Sequence, residues 1–127
     1  MNQSHCPCGS KKQYNSCCQK FHNGDSCLTT VDLLRARFSA FIKHEKNFLV
    51  NTHHPFYVTP QLISNLEDTS FVPSNLKIIK VNQGLASDTE GCITYSFDYL
   101  TENGKESYQT TSLYSKIGDQ WFYVKDT

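Results

Sequence analysis

Four cysteines near the amino terminus are the residues of this chain whose type and spacing most clearly indicate chemistry. They form a Cys-x-Cys pair and an adjacent Cys-Cys pair separated by eight residues: Cys6, Cys8, Cys17 and Cys18. Thiolates favour zinc or an iron–sulfur cluster over hard cations, and four cysteines without an open position are typical of a structural zinc site. Pro7 restricts the backbone between the first two cysteines and Gly9 permits a tight turn after them. That geometry can aim backbone N–H groups at the sulfurs, so we predict a structural zinc ion.

Three other interpretations of these cysteines stay open. Disulfide pairing is one, although the paired cysteines of secreted domains usually close longer loops. An iron–sulfur cluster is another, although Cys-x-Cys followed by Cys-Cys is not a ferredoxin spacing. The third is that His5 or His22, which flank the cluster, replaces one of the four cysteines as a metal ligand.

The charged residues before Asp25 are all lysines, namely Lys11, Lys12 and Lys20. A divalent ion held by four thiolates leaves about two negative charges in excess. The lysines offset this excess, which is consistent with a charged metal centre in the segment.

The composition favours one small domain with a short additional segment. The 127 residues are 38% hydrophobic and 13% aromatic, enough for one modest core. The formal net charge is zero, so a strongly basic nucleic-acid-binding domain is not indicated. The first residues contain no apolar run typical of a signal peptide, and no segment approaches the roughly 20 apolar residues that span a bilayer. We therefore expect a cytoplasmic protein without membrane contact, in which thiols stay reduced and available to a metal.

Apolar residues at helical spacing predict one long amphipathic helix after the cysteines. Thr29 and Asp32 have the spacing of a capping box, so the helix is predicted to start at Thr29 or Thr30 and to extend to residue 45. Shorter helices are predicted over residues 46–52 and 60–68, the first of which ends before Pro55. The apolar stripe of the long helix consists of Val31, Leu34, Phe38, Phe41 and Ile42.

Two arginines, Arg35 and Arg37, lie on opposite flanks of this stripe. The preferred interpretation is that both extend along the edge of the core with their charged ends in water. The alternative is that one of them points into a cavity beneath the helix.

From residue 76 onward the apolar pattern alternates with a period of two, which predicts strands. The predicted strands cover residues 76–85, 91–100, 106–116 and 121–125. Asn103-Gly104 predicts a type I′ hairpin, and Gly118-Asp119 predicts a further turn. Helices followed by an antiparallel meander of four or more strands indicate an α+β fold, with the helices packed on one face of a curved sheet.

The amino-terminal segment resembles the SEC-C motif, a zinc knuckle also found at the end of the bacterial SecA translocation ATPase. The resemblance rests on CPCGS, Lys12, Tyr14 and the pair Cys17-Cys18. It implies that all four cysteines are the metal ligands. One departure is that Lys11 replaces the glycine that usually follows the serine. Because the resembling knuckle of the ATPase contacts a chaperone and the ribosome, the motif also implies that Lys11, Lys12 and Tyr14 could contact an acidic protein surface or RNA.

The rest of the chain resembles the YchJ-like family. The signature R-S-R-Y-S-A-Y…T-W-H-P is matched by RARFSAFIKHEKNFLVNTHHP, and the ending DQWFYVKDT is similar too. The resemblance implies a zinc knuckle over residues 1–24 and a cone-shaped domain of the nuclear transport factor 2-like (cystatin-like) superfamily over residues 25–127. Such cones leave a pocket at their open end. Departures are His53 in place of a tryptophan, and Thr110 and Thr111 in place of a charged pair on the third strand.

Two functions follow as expectations. The first is a protein-interaction or adaptor module acting through the knuckle, with an RNA or ribosome contact as a weaker option and a homodimer through the sheet also open. The second is small-molecule binding, or isomerase- or dehydratase-like activity, in the pocket of the cone. Its candidate residues are Arg37, His53, His54 and Asp98. The zinc could also serve only as a staple that holds the amino terminus against the long helix. We favour the adaptor and expect no catalysis.

Overall fold

The computed structural model describes residues 5–66 and 71–127. Short 3-10 turns lie at Tyr14–Ser16 and Pro55–Tyr57. The α-helices are α1 (Cys18–His22), α2 (Thr30–Lys43), α3 (Lys46–Asn51) and α4 (Pro60–Asn65). The strands are β1 (Ser74–Gln83), β2 (Glu90–Thr101), β3 (Gly104–Ile117) and β4 (Gln120–Asp126). They form one antiparallel meander in the order β1-β2-β3-β4. The predicted α+β class and meander are therefore confirmed.

Helix α2 is the central helix of the fold. It begins where the Thr29 side chain accepts a hydrogen bond from the backbone N–H of Asp32 over 3.1 Å, the contact that the capping spacing predicts. It ends at Lys43 because His44 adopts a left-handed conformation, with φ 60°. The predicted end at residue 45 was thus two residues too late.

A second face of α2 is buried besides the predicted stripe. Leu33, Ala36 and Ala40, spaced by three and four residues, are completely buried. The cysteine-bearing segment covers this face, since α1 packs against α2 and the buried cysteines join the same core. Helix α2 therefore lies between the sheet and the amino-terminal segment.

The sheet buries one side of its central strands against α2. Ile93 and Tyr95 of β2 face the core, as the alternation predicts, and Phe97 continues this face beside Phe38 with ring centroids 6.2 Å apart. On the opposite face the hydroxyls of Thr94 and Thr111 are hydrogen-bonded across β2 and β3 over 2.8 Å.

The hairpin between β2 and β3 occurs where it is predicted, but its turn is different. Thr101 pairs with Gly104, so the turn residues are Glu102 and Asn103. Gly104, with φ 107°, follows the turn instead of occupying its centre. A type I′ turn needs positive φ at both central residues, and Asn103 does not have it. The type I′ prediction was wrong.

The segment after α3 runs parallel to β4 and covers its edge. His54 N donates to Tyr123 O over 2.7 Å, and Tyr123 N donates to Thr52 O over 2.8 Å. Alternating side chains in this extended segment point in opposite directions. This explains why His53 is buried while its neighbour His54 is not.

The last predicted helix is present as α4, capped by the Thr59 side chain, which accepts from Leu62 N over 3.1 Å. Positions 67 and 68 of the predicted range lie outside the described residues. None of the helices in the described ranges has both the length and the apolar character that crossing a membrane requires.

Candidate metal centre and adjoining cavity

The structure brings the sulfurs of Cys6, Cys8, Cys17 and Cys18 together, all within 4.8 Å of one another. The Sγ atoms of Cys8 and Cys17 are 3.6 Å apart, and those of Cys17 and Cys18 are 3.9 Å apart. Four sulfurs placed about 2.3 Å from a zinc ion in tetrahedral geometry would be about 3.8 Å apart. The arrangement therefore fits a four-coordinate metal ion.

A short reversal of the chain brings the first two cysteines to the second two. Cys6 N donates to Lys12 O over 2.6 Å, Gly9 N donates to Cys6 O over 3.2 Å, and His5 bridges to Gln13. Gly9 has φ 84° and Lys11 has φ 68°, so the reversal uses two left-handed residues. Lys11 therefore keeps the conformation expected of the glycine that it replaces in the SEC-C motif.

The environment of the sulfurs suits a thiolate centre. Cys6, Cys8 and Cys18 are buried, Cys17 is partly exposed, and the Ser10 hydroxyl lies 3.2 Å from the Cys17 sulfur, where it can donate to a thiolate. All six cysteines are free thiols, so the structure contains none of the disulfides considered above.

The thiols of Cys6, Cys8 and Cys18 interact and shift one another's pKa values. The pKa of Cys18 is raised because its thiol interacts with Cys6 and Cys8, and the pKa of Cys8 is lowered because the thiols of Cys18 and Cys6 donate to its thiolate. Closely spaced thiols cannot all ionise without a counter-charge. A divalent cation supplies that charge when it displaces the protons. The cluster is thus consistent with metal binding.

Neither flanking histidine belongs to the cluster. His22 uses both ring nitrogens elsewhere: Nδ1 is 2.6 Å from the Tyr14 hydroxyl and Nε2 is 2.8 Å from Ala36 O. His5 is exposed and pairs through its backbone. Within residues 5–66 and 71–127, the four cysteines are the group of potential ligands that lie close enough together to share a metal ion.

The cysteine-bearing segment is joined to α2 by polar contacts. Arg35 Nη1 donates to Cys8 O over 2.7 Å, and His22 bonds to the carbonyl of Ala36. Lys43 lies over the Tyr14 ring, with Nζ 4.6 Å from its centroid. Of the three residues that the SEC-C resemblance suggests for partner contact, Lys11 and Lys12 are exposed, whereas Tyr14 is engaged by His22 and Lys43.

A separate cavity of about 250 Å³ lies between α2, the sheet and the segment around α4. Its wall is mostly apolar and aromatic, with polar side chains from α2, residue 53 and three strands. The polar side chains in the wall are Arg37, His53, Tyr95, Tyr114, Tyr123 and Asp126.

The preferred interpretation, in which the charged ends of both arginines lie in water, was wrong for Arg37. It is only 8% exposed, lines the cavity, and donates from Nη1 to Leu49 O over 2.8 Å and to Thr52 Oγ1 over 2.7 Å. Its guanidinium lies over the ring of Tyr123, 4.6 Å from the centroid. The alternative, that one arginine points into a cavity beneath the helix, describes Arg37.

The other candidate pocket residues do not converge. His53 is buried in the cavity wall beside Tyr123, and burial together with the charge of Arg37 lowers its pKa. His54 lies outside this cavity, and its Nδ1 accepts a hydrogen bond from Phe56 N over 3.2 Å, which is a structural role. Asp98 also lies outside, where Ser107 and Asn75 donate to its carboxylate and lower its pKa. Asp98 is therefore not part of one site with His53 and Arg37.

A chain of hydrogen bonds that the sequence did not suggest joins Tyr95, Tyr123 and Asp126 of the cavity wall through Ser112. The Ser112 hydroxyl donates to Asp126 Oδ1 over 2.6 Å. Because its single proton is used there, Ser112 accepts from the Tyr95 hydroxyl, 2.9 Å away. Tyr123 also donates to Asp126 Oδ1 over 2.8 Å. The strand alternation could have placed Tyr95 inside, but only the β3–β4 pairing shows that Asp126 reaches Ser112.

Comparison with protein families and relatives is consistent with this architecture. Residues 29–126 match the family model described as the YchJ middle NTF2-like domain. A UPF0225 protein of Streptomyces avermitilis is 31% identical over 124 residues, which cover 94% of this chain and 81% of that protein. A UPF0225 protein of Serratia proteamaculans is 28% identical over 129 residues, covering 96% and 82% respectively.

Solved structures show the same fold. A SEC-C motif containing protein from Rhodopseudomonas palustris aligns with a TM-score of 0.80 at 18% identity over 98% of each chain. Another from Psychrobacter arcticus gives 0.78 at 20% identity, covering 96% of this chain and 81% of that one. An NTF-2 like protein from Shewanella oneidensis gives 0.59 at 14% identity, covering 76% and 93%. The expected NTF2-like fold is therefore confirmed.

Proposed function

We propose that this chain, which belongs to the YchJ family with its middle NTF2-like domain, is a zinc-stabilised interaction module. In this proposal residues 1–24 form the knuckle and residues 25–127 form the NTF2-like domain that carries it. The four cysteines hold the zinc ion, and the lysine-bearing side of the knuckle binds an acidic protein surface.

The observation that carries the proposal is the convergence of four sulfurs within 4.8 Å on a segment with little core of its own. A metal ion bound there supplies folding free energy that so short a segment otherwise lacks. The hydrogen bond of Arg35 in α2 to Cys8 O, and that of His22 in the knuckle to Ala36 O of α2, then fix the orientation of the knuckle on the helix. A fixed surface loses less conformational entropy when a partner binds than a disordered segment would.

The charge of the outer side indicates the kind of partner. Lys11, Lys12 and Lys20 are exposed, and no Asp or Glu occurs between residues 5 and 24. An acidic patch on another protein complements this surface and would speed association. RNA is less favoured because three lysines on a chain of zero net charge give few phosphate contacts.

Metal content and thiol protection test the zinc centre. Reduced, full-length protein purified with zinc should contain one metal ion per chain, and a Cys8→Ser/Cys17→Ser variant should contain none, while Cys92→Ser should retain it. In alkylation of the native protein, the four ligands should react only after a chelator is added. Cys27 should stay unreactive, because burial raises its pKa to about 12. Metal-free wild-type protein, or clustered thiols that react as fast as Cys92, would contradict the proposal.

Charge reversal tests the interaction surface. Partners cross-linked in cells to the wild-type chain should be lost from Lys11→Glu/Lys12→Glu and retained by Lys77→Glu/Lys80→Glu, a matched pair of exposed lysines on β1. The captured protein should bind directly, with an affinity that falls as salt rises. Equal capture by the two charge-reversed variants would rule out the knuckle surface, and loss of capture after RNase treatment would indicate RNA instead.

A second candidate function is small-molecule binding in the cavity. The specific observation is a largely apolar space of about 250 Å³ with a buried arginine in its wall, an arrangement typical of small-ligand sites. Because His54 and Asp98 lie elsewhere, binding is favoured over isomerase- or dehydratase-like chemistry. Saturable shifts of the NMR signals of the cavity aromatics on addition of a fragment would support it, and a fragment screen without any such shift would contradict it.

A further inference from the structure

Arg37 is a buried cation that has no buried anion beside it among the described residues. Its side chain is 8% exposed, and among the described residues no carboxylate lies within ion-pair distance of its guanidinium. Burying a charge without a partner is unfavourable. The two neutral acceptors at Nη1, Leu49 O and Thr52 Oγ1, compensate only part of that cost.

Three of the five N–H donors of Arg37 have no hydrogen-bond partner among the described residues. A guanidinium has five N–H groups, and the two acceptors in the described part of the chain are both bonded through Nη1. Those two bonds and the Tyr123 ring hold the guanidinium plane in the cavity wall. Its Nε and Nη2 groups have no hydrogen-bond partner in the described chain, and they are the fork that binds a carboxylate through two hydrogen bonds.

Asp126 does not neutralise this arginine directly. Asp126 is the acidic residue among the described residues of the cavity wall. Its Oδ1 accepts hydrogen bonds from the hydroxyls of Ser112 and Tyr123. It therefore anchors β3 to β4 and influences Arg37 only at longer range. The cavity wall therefore contains one cationic group whose Nε and Nη2 donors are not used by any described residue.

The rest of the cavity limits the shape of a ligand. A cavity of 150 Å³ is enough to hold benzene, and drug-sized ligands occupy about 300–1,000 Å³, so about 250 Å³ suits one ring with a short substituent. Phe38, Phe71 and Phe97 form a cluster of rings in the cavity wall, with Phe38–Phe97 and Phe71–Phe97 centroids 6.2 and 6.0 Å apart. Aromatic rings favour edge-to-face and offset contacts with further rings.

We propose that the cavity binds a small aromatic monocarboxylate, with the carboxylate on the Nε and Nη2 groups of Arg37 and the ring among Phe38, Phe71 and Phe97. This inference rests on the second candidate function and names its ligand class. A single buried guanidinium matches one negative charge and does not match a doubly charged phosphate ester. The same contacts also give Arg37 a role as a specificity-determining residue.

The test compares acids with their amides on the zinc-loaded, full-length protein. Benzoate, phenylacetate and 3-phenylpropanoate are titrated beside benzamide, phenylacetamide and 3-phenylpropanamide by calorimetry and by NMR. At least one acid should bind about tenfold or more tightly than its amide, since hydrogen bonds to a charged group contribute more than neutral ones. Arg37→Gln should remove this preference, and Arg35→Gln, two residues away on α2, should keep it.

The possible outcomes distinguish a failure of the carboxylate assignment from a failure of small-molecule binding in the cavity, on which that assignment rests. If an acid and its amide bind equally, the cavity binds small molecules but the assignment of a carboxylate to Arg37 is overturned. If none of the six compounds binds, both are overturned. If Arg37→Gln does not fold, the comparison of acid and amide binding to the wild-type protein still tests the proposal. In that case NMR contacts between the ligand ring and Phe97 must show that the acid is bound in the cavity. A preference that survives at full strength in a folded Arg37→Gln variant would also contradict the proposal.

Discussion

The guanidinium of Arg35 donates a hydrogen bond of 2.7 Å to the backbone carbonyl of Cys8, one of the four clustered cysteines. This contact spans 27 residues of sequence and connects the proposed metal centre directly to α2. Two residues further along the same helix, Arg37 lines the cavity on the other side. Helix α2 therefore supports both candidate sites.

Replacing Arg35 by Gln should weaken the attachment of the knuckle. We expect the unfolding free energy of the zinc-loaded protein to fall by about 1–2 kcal/mol, because a charge-assisted hydrogen bond to Cys8 is lost. Thermal denaturation with and without a chelator measures this effect. In a Cys8→Ser/Cys17→Ser background the same replacement should cost much less, as a double-mutant cycle would show. An equal cost in both backgrounds would mean that Arg35 stabilises α2 independently of the knuckle.

Replacing Lys11 by Gly should stabilise the zinc-loaded protein. Lys11 has φ 68°, a conformation that costs most residues about 1–2 kcal/mol and glycine little. After allowing for the greater freedom of glycine in the unfolded chain, we expect a gain of about 0.5–1 kcal/mol in a denaturant titration. Lys12→Gly removes the same charge next to it without relieving positive φ, so it should bring no gain. If both variants respond alike, the effect comes from charge and not from the backbone.

Replacing Thr110 by Val should be neutral or stabilising. The Thr110 hydroxyl is buried, and among the described residues it has no hydrogen-bond partner. Removing an unpaired buried polar group of this size can increase the unfolding free energy by about 1 kcal/mol. The matched control is Thr111→Val, which loses the 2.8 Å bond to Thr94 and should be destabilising by about 0.5–1.5 kcal/mol. A clear loss of stability in the Thr110 variant would reveal a partner for that hydroxyl.

His53 should make the fold sensitive to mild acid. Burial, followed by the charge of Arg37 and the neighbouring His54, lowers its pKa below the ordinary 6.5. Between 6.5 and the lower value in the folded protein, the unfolded chain binds more protons, so stability falls as the pH is lowered through this window. His53→Phe, which keeps an aromatic ring beside Tyr123, should reduce the slope of melting temperature against pH below 6.5. His44→Asn, a replacement at an exposed helix end, should leave the slope unchanged.

Much of the fold could be predicted because it depends on neighbours in sequence. Thr29 caps the helix that its spacing with Asp32 indicates, and the period-two pattern places all four strands to within a few residues. The errors occur where the tertiary structure imposes a conformation that differs from the one the local sequence favours. Asn103-Gly104 does not form the centre of its turn because the β2–β3 register pairs Thr101 with Gly104.

By itself, the sequence determined the family, the α+β meander and the grouping of the four cysteines, since each depends on residue type and short spacing. Only the tertiary structure decided which arginine enters the cavity and that Asp98 lies outside it while Asp126 lines it. The reason is that helical spacing places Arg35 and Arg37 alike on the flanks of an apolar stripe. Which flank is buried depends on two surfaces distant in sequence, the cysteine segment on one side of α2 and β4 with residues 52–54 on the other.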